Sequence, residues 1–447
     1  MIAVTGWDEK PLIQLLTLIL DFRGKTPKKL GMEWGNGDIP ALSANNVEMG
    51  KIDLTKECYF GTDALYRKWM TRGDTRAGDI VLTTEAPLGN VAQIPDERRY
   101  ILSQRTILLR ADETRLCNSY LRHYISSDEF QTLMRQQSSG TTATGIQRAK
   151  LEPLTIRFPV STLEQEEIAR ILDTVDLAIE KTNALFAKQR QLKAGLTHDL
   201  LTRGIDKAGN VRSFQSHKFK DSSLGKIPVE WQVRTFSEIL NERGGHIQTG
   251  PFGSQLHSYE YVSDGIPVIM PQDISDGEIL ETHIARITEE KAVSLSRHRV
   301  IPGDLIFARR GDLSRCAVIT EHQRGWLCGT GCLLMRPPTK ALLPYWTAQV
   351  YRFSQIQSQV AINAVGSTMP NLNTGIIAAL AIGYVHIDEQ AQIVEHLNSL
   401  DTVMQKTRNV RDKLISLKTA LMQDLLTGKK RVTGLCQSAA FLAAEAV

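Results

Sequence analysis

The stretch HDLLTRGI at residues 198–205 returns as QDLLTGKK at 423–430, each time closing a long charged run that contains no proline. Aligning the two DLLT endings fixes an offset of 225 residues, and the upstream residues then coincide one by one. Glu164 and Gln165 fall on Glu389 and Gln390, Ile168 on Ile393, Leu172 on Leu397, Asp176 on Asp401, Lys181 on Lys406, Leu192 and Lys193 on Leu417 and Lys418, and Leu196 on Leu421. A match of that length at one offset marks an internal duplication. With small gaps it continues upstream: GDIVL at 78–82 faces GDLIF at 303–307, DIP at 38–40 faces GIP at 265–267, and GTTATG at 140–145 faces GSTMPN at 366–371. The plan is globular unit, helix, globular unit, helix.

Both runs read as helices. Ser161 stands three residues before Glu164, the spacing of a capping box, and Glu164, Glu166 and Glu167 suit the positive end of the helix dipole. In the second run Ile393, Leu397, Leu400, Met404, Thr407, Leu414, Leu417, Leu421 and Leu425 recur mostly every three or four residues, which predicts a narrow apolar seam. About forty residues at ~1.5 Å each give a rod of ~60 Å. Such a rod needs a partner for its seam, and a pseudo-two-fold duplication supplies one: the other rod, packed antiparallel. Two coiled-coil dimerisation arms would leave the paired globular units unexplained.

The globular units read as mixed α/β. GDIVLTT and NVAQI form strand-like runs around a turn at Pro87–Gly89, and NSYLRHYISSDEFQTLMRQ is helical in pattern. The expected divisions are 1–160, 161–205 (helix), 206–230 (a polar linker read as loop), 231–386, 387–428 (helix) and a tail at 429–447.

Composition narrows the function. The 447 residues carry 53 basic and 49 acidic side chains, a formal net charge of +4, so a nucleic-acid surface must be a local patch. Six cysteines are scattered, and the close pair Cys328 and Cys332 lacks the second pair that a zinc site needs, so free thiols in a reducing cytoplasm are expected. PLIQLLTLIL is about half the length of a membrane span. No P-loop, HExxH, GxSxG or NPPY-type motif occurs, and TGPFGSQ lacks the phosphate-binding lysine. The expectation is a reader or scaffold without catalytic residues or a metal.

Basic clusters point to nucleic acid. FRGKTPKK sets Arg23, Lys25, Lys28 and Lys29 in a Gly/Pro loop, and LYRKWMTRGDTR adds Arg67, Lys68, Arg72 and Arg76 around Trp69. Solvated surface charge is the plain alternative for either cluster. The copies also differ at one turn: TTEAPLGN at 83–90 lies opposite ARRGDLSR at 308–315, so Thr84, Glu85 and Asn90 face Arg309, Arg310 and Arg315. Asn45 faces Gln272 in SANNV and MPQDI. A shared frame with exchanged polar tips suits two modules that read different bases, since Arg matches guanine and Asn or Gln matches adenine in the major groove. Loop drift after duplication is the competing explanation.

The arrangement resembles the DNA-specificity subunit of type I restriction–modification systems over nearly the whole chain. The residues that carry the likeness are FKDSSLGKIPVEW at 219–231, GTTATG and GSTMPN, the helix starts PVSTLEQEEIARIL and VHIDEQAQIVEHL, and the helix ends LKAGLTHDLLT and LKTALMQDLLT. The resemblance implies two target-recognition domains that each read half of a split asymmetric site on double-stranded DNA. It adds Thr141, Ser367 and Asn371, in the matched GTTATG and GSTMPN segments, to the candidate DNA contacts. It further implies that the helices dock two adenine methyltransferase subunits, with Leu196, Leu200, Leu421 and Leu425 as the docking candidates, and that restriction/translocase subunits join that core. S-adenosylmethionine, ATP and Mg would then serve the partners, with no cofactor bound by this chain. The tandem four-residue repeats of some members are absent from EKTNALFAKQRQLKAGL. The alternative from another class is a self-contained DNA methyltransferase or nuclease with duplicated recognition domains; a third is a coiled-coil scaffold that makes no DNA contact.

Overall fold

The computed structural model describes residues 5–139, 144–275, 277–364 and 370–434. Its contacts divide the chain into two units, Met1–Ala184 with Arg408–Val447, and Leu185–Thr407. The division cuts both long helices near their middles, so each unit owns one globular part and half of each helix.

In the first unit a four-stranded antiparallel sheet has the order Leu16–Asp21, Thr106–Ala111, Ile80–Thr84, Leu88–Gln93. Side chains alternate across a strand, and here both faces are apolar. Ile80, Leu82, Ile107 and Leu109 enter one core with Tyr120, Phe130 and the long-helix residues Ile168, Leu172 and Leu425. Val81, Ala92, Leu108 and Leu20 enter another with Trp69 and Tyr100. A smaller sheet joins Tyr59–Gly61, Ile39–Leu42 and Ile101–Leu102.

The second unit repeats this plan. Its sheet runs His246–Thr249, Cys332–Arg336, Leu305–Ala308, Cys316–Val318. Leu305, Phe307, Leu333 and Met335 face a core that holds Leu200, Ile393 and Leu397, while Ile306, Ala308 and Leu334 face the other way. Even the exceptional parallel pairing recurs, Ala41 beside Ile101 in one unit and Val268 beside Leu327 in the other.

The long helices span Thr162–Thr202 and Ile387–Leu425. In the first unit Asp176 pairs with Lys418 at 2.5 Å, and in the second its counterpart Asp401 pairs with Lys193. Each pair joins an early position of one helix to a late position of the other, so the helices run antiparallel within both units.

The repeated Glu-Gln has a structural cause. Gln165 accepts from the Cys117 N–H (2.7 Å) and donates to the carbonyls of Arg115 and Pro159, tying the helix start to the globular chain. Gln390 does the same with Leu343, Ala341 and Val385. Both glutamines are fully buried. Glu164 accepts from Arg431 at 2.6 and 2.7 Å, and Glu389 accepts from Arg212, so each glutamate receives an arginine from the segment downstream of a DLLT ending. Gly204 sits at that junction with φ 63°, and a Cβ there would stand 2.1 Å from a Glu389 oxygen.

Several expectations need correction. The Glu164 N–H does donate to Ser161 Oγ (3.4 Å), but the Glu164 carboxylate belongs to Arg431, which leaves the capping box half made. Leu417 leaves the seam and is 47% exposed. The segment NSYLRHYISSDEFQTLMRQ breaks into helices Asn118–Ser126 and Asp128–Gln137, because Ser127 is extended and its hydroxyl accepts from the Phe130 N–H. The linker read as loop holds a hairpin, Phe219–Ser222 with Gly225–Pro228. Among the described residues no helix is long and apolar enough to cross a membrane.

Candidate nucleic-acid interface

The turn that differs between the copies hangs on one backbone frame. In the first unit the Thr84 N–H donates to the Arg105 carbonyl (2.8 Å), and the Thr84 carbonyl accepts from the Ile146 N–H (2.9 Å). In the second unit Arg309 donates to Gly331 (2.8 Å) and accepts from Leu372 (3.0 Å). Positions 84, 105 and 146 therefore match 309, 331 and 372. Asn45 and Gln272 also correspond: both are exposed, each just before a residue, Asn46 or Asp273, whose side chain accepts the backbone N–H three residues earlier.

The tips are less uniform than the alignment suggests. Thr84 is 1% exposed and its hydroxyl donates to the Arg105 carbonyl (3.2 Å), which corrects its reading as a tip residue: its strand turns that side chain inward. Asn90 is half-buried, and its amide donates to the Val47 carbonyl (2.9 Å), holding the strand to the neighbouring hairpin. In the second unit Arg310 and Arg315 are exposed, and Arg315 reaches the Pro271 carbonyl (3.3 Å). Arg309 is half-buried and donates through Nε to Asn371 Oδ1 (3.0 Å), so these two candidates come together.

Among the basic residues, Lys28, Lys29, Arg67, Lys68 and Arg72 are exposed. Lys25 is not a free cation: its ammonium donates to the Trp69 carbonyl (2.7 Å) and lies 4.9 Å from the Phe22 ring centre. Burial, with Arg72 nearby, pulls its pKa below the usual lysine range. Arg67 pairs with Asp63 at 2.8 Å. Arg72 covers the Phe22 ring and donates to the Asp21 carbonyl. Thr141 and Ser367 lie outside the described residues.

An open polar cleft of about 680 Å³ lies in the first unit, lined by Asp21, Arg23, Arg72, Glu85, Gln147 and Arg148 among others. Arg23 grips Asp21 through Nε and Nη2 (2.9 and 2.5 Å) and donates to the Ile146 carbonyl (3.2 Å). Burial would raise the Asp21 carboxyl, but the Arg23 hydrogen bonds hold it below the ordinary carboxylate range. Arg148 pairs with Glu152 at 2.5 Å, and Glu85 pairs with Arg105 at 3.1 Å. With Arg105 and Glu152 counted, four arginines stand against three carboxylates, a wall that can hold phosphates and present both donors and acceptors to base edges. Arg105, Gln147 and Arg148 were not singled out from sequence, since no motif marks them and only the fold brings them to Glu85.

The docking leucines need a second correction. Leu200 and Leu425 are buried, and Leu196 and Leu421 pack half-buried against the same cores. They bind the helix ends to their own globular parts. The exposed apolar positions that recur at the offset are Leu185 with Val410 and Leu192 with Leu417, between 47% and 57% exposed.

Cys316, Cys328 and Cys332 are buried, and burial pushes the Cys316 thiol up to about 12. His123, Asp173 and Asp176 bring their ligand atoms together, but Arg122 pairs with both carboxylates and Lys418 takes Asp176. That cluster reads as an ion-pair network.

Comparison with known proteins agrees with the duplicated frame. The chain is 23% identical over 440 residues to a putative type I restriction enzyme MjaX specificity subunit of Methanocaldococcus jannaschii, covering 95% of this chain and 94% of that one. The type I restriction enzyme MjaVIII specificity subunit of the same organism is 23% identical over 369 residues, covering 80% of each chain. The crystal structure of a type I restriction–modification system S subunit from M. genitalium superposes with a TM-score of 0.56 at 16% identity, covering 94% of this chain and 96% of that chain. A family model described as the type I restriction modification DNA specificity domain matches twice, at residues 5–186 and 228–414, and with most of its length so matched the chain belongs to that family.

Proposed function

We propose that this chain is the DNA-reading subunit of a type I restriction–modification complex, and that each globular unit reads one half of a split, asymmetric duplex site. The observation that carries this reading is the shared frame with different side chains: Thr84, Arg105 and Ile146 bond as Arg309, Gly331 and Leu372 do, yet the neighbouring polar groups differ. One frame with two outfits suits two half-sites. Two adenine methyltransferase subunits are the partners that a duplicated helix pair suits, docking on the repeated exposed positions Leu185 with Leu192 and Val410 with Leu417. Restriction/translocase subunits would join that core. S-adenosylmethionine, ATP and Mg belong to the partners in this reading, and a cytoplasmic location follows from the substrate.

The test is selection from a random duplex pool by the purified full chain over a salt series, with methyl transfer assayed in parallel. A split asymmetric motif, affinity that falls steeply with salt, and methylation only after a methyltransferase subunit is added are the expected results. Methyl transfer or cleavage by the pure chain, or binding without sequence preference, overturns the reading.

A further inference from the structure

Resting on that reading, we infer that Glu85 and Arg105 together read one C·G base pair in the first half-site, and that their replacement by Arg310 and Gly331 removes this pairing from the second. The geometry is direct. Arg105 Nε and Glu85 Oε1 lie 3.1 Å apart, with the two side chains 47% and 43% exposed, so an acceptor and a set of donors stand side by side. In the major groove a C·G pair offers the complement: the cytosine amino group donates, and guanine O6 and N7 accept. The amino group and O6 are themselves hydrogen-bonded at about 2.9 Å, which matches the spacing of the side-chain pair.

Two further observations separate this pair from an ordinary surface ion pair. Arg105 has φ 65°, a left-handed conformation that glycine adopts freely and arginine does not, and the second unit places Gly331 there with φ 87°. A non-glycine residue kept at such a position points to a task for its side chain. Glu85 also lines the cleft that Arg23, Arg72 and Arg148 make basic. A carboxylate there repels phosphate but accepts from a base amino group, so it serves base reading and not backbone grip. The second unit has a guanidinium, Arg310, in its place.

Selection from a random duplex pool with the wild-type chain, Arg105→Gly and Glu85→Gln tests this. Arg105→Gly should fold with a thermal midpoint close to wild type, because the relieved left-handed strain and the added chain freedom of glycine oppose each other. Both variants should lose one C·G position in one half-site, its preference falling roughly tenfold or more, while the other half-site stays unchanged. Folded variants that select the wild-type motif overturn the assignment and leave the DNA-reading role standing. A wild-type chain that selects no split motif overturns that role and the assignment with it.

Discussion

Replacing Glu389 by alanine should destabilise its unit far more than the same change at Glu164, although the two occupy one place in the duplication. The Glu389 carboxylate receives the Arg212 guanidinium, the Ile205 N–H at 2.9 Å and the Trp231 indole N–H at 3.3 Å. The Arg212 side chain is 9% exposed, so alanine at 389 leaves a cation where water hardly reaches, with the Arg203 carbonyl at 3.2 Å in place of a carboxylate. Removing one partner of such a pair costs about 3–5 kcal/mol. Arg431, the partner of Glu164, is 32% exposed and keeps the Thr5 carbonyl at 2.6 Å, so it can rehydrate and the loss is about 1–2 kcal/mol. For a unit of this size each kcal/mol shifts the midpoint by roughly 2–4 °C. Glu389→Ala should therefore lower it by roughly 6–20 °C and Glu164→Ala by roughly 2–8 °C. Thermal unfolding gives the midpoints, and hydrogen exchange assigns each loss to residues 185–407 or to the rest. Glu389→Ala combined with Arg212→Met should recover part of the loss, because the stranded charge is gone. A Glu164→Ala penalty equal to or above that of Glu389→Ala would refute the reasoning that exposure of the arginine sets the cost.

Two more outcomes follow from the same contacts. His123 is buried, and that burial lowers its pKa from the ordinary 6.5 against the opposing effect of the hydrogen bond that its Nε2–H donates to Asp173, with Arg122 adding to the lowering. The folded state therefore keeps the neutral ring while the unfolded chain takes a proton near pH 6.5, so this stability is present above 6.5 and is lost as pH falls. His123→Gln, which installs the residue found at the matching position 349, should flatten the decline between pH 7.5 and 5.5 for the first unit; His298 has the same sign in the second, so exchange must be read unit by unit. An equally steep decline in the variant would exclude His123 as its source. Leu192→Glu with Leu417→Glu should leave the stability within about 1 kcal/mol of wild type, since both are half exposed, yet abolish co-purification with a methyltransferase subunit. Retained co-purification would show that the docking face lies elsewhere.

The duplication made much of this fold legible, because a matched pair of residues constrains both copies. Gln165 with Gln390 and Asp176 with Asp401 showed at the sequence level that two helices share one plan, and the structure shows why these residues recur: they fasten each helix to its globular part and to the other helix. An offset does not say which way a side chain points. Thr84 and Arg309 align, yet Thr84 is buried under its turn while Arg309 extends to Asn371. Leu196 and Leu200 look like a docking face in a helical pattern, but the fold has buried Leu200 in a core and packs Leu196 half-buried against it. Arg105 carried no signal at all, since it meets Glu85 across twenty residues of chain. The two copies nevertheless act as controls for each other. Where the frame and the residue both repeat, as at Glu164 and Glu389, the residue serves the fold. Where the frame repeats and the residue does not, as at Arg105 and Gly331, folding cannot explain the choice, because the other copy folds without it. An arginine held in a glycine conformation on a frame that glycine satisfies is therefore the position at which recognition, and not stability, is the better account of the residue.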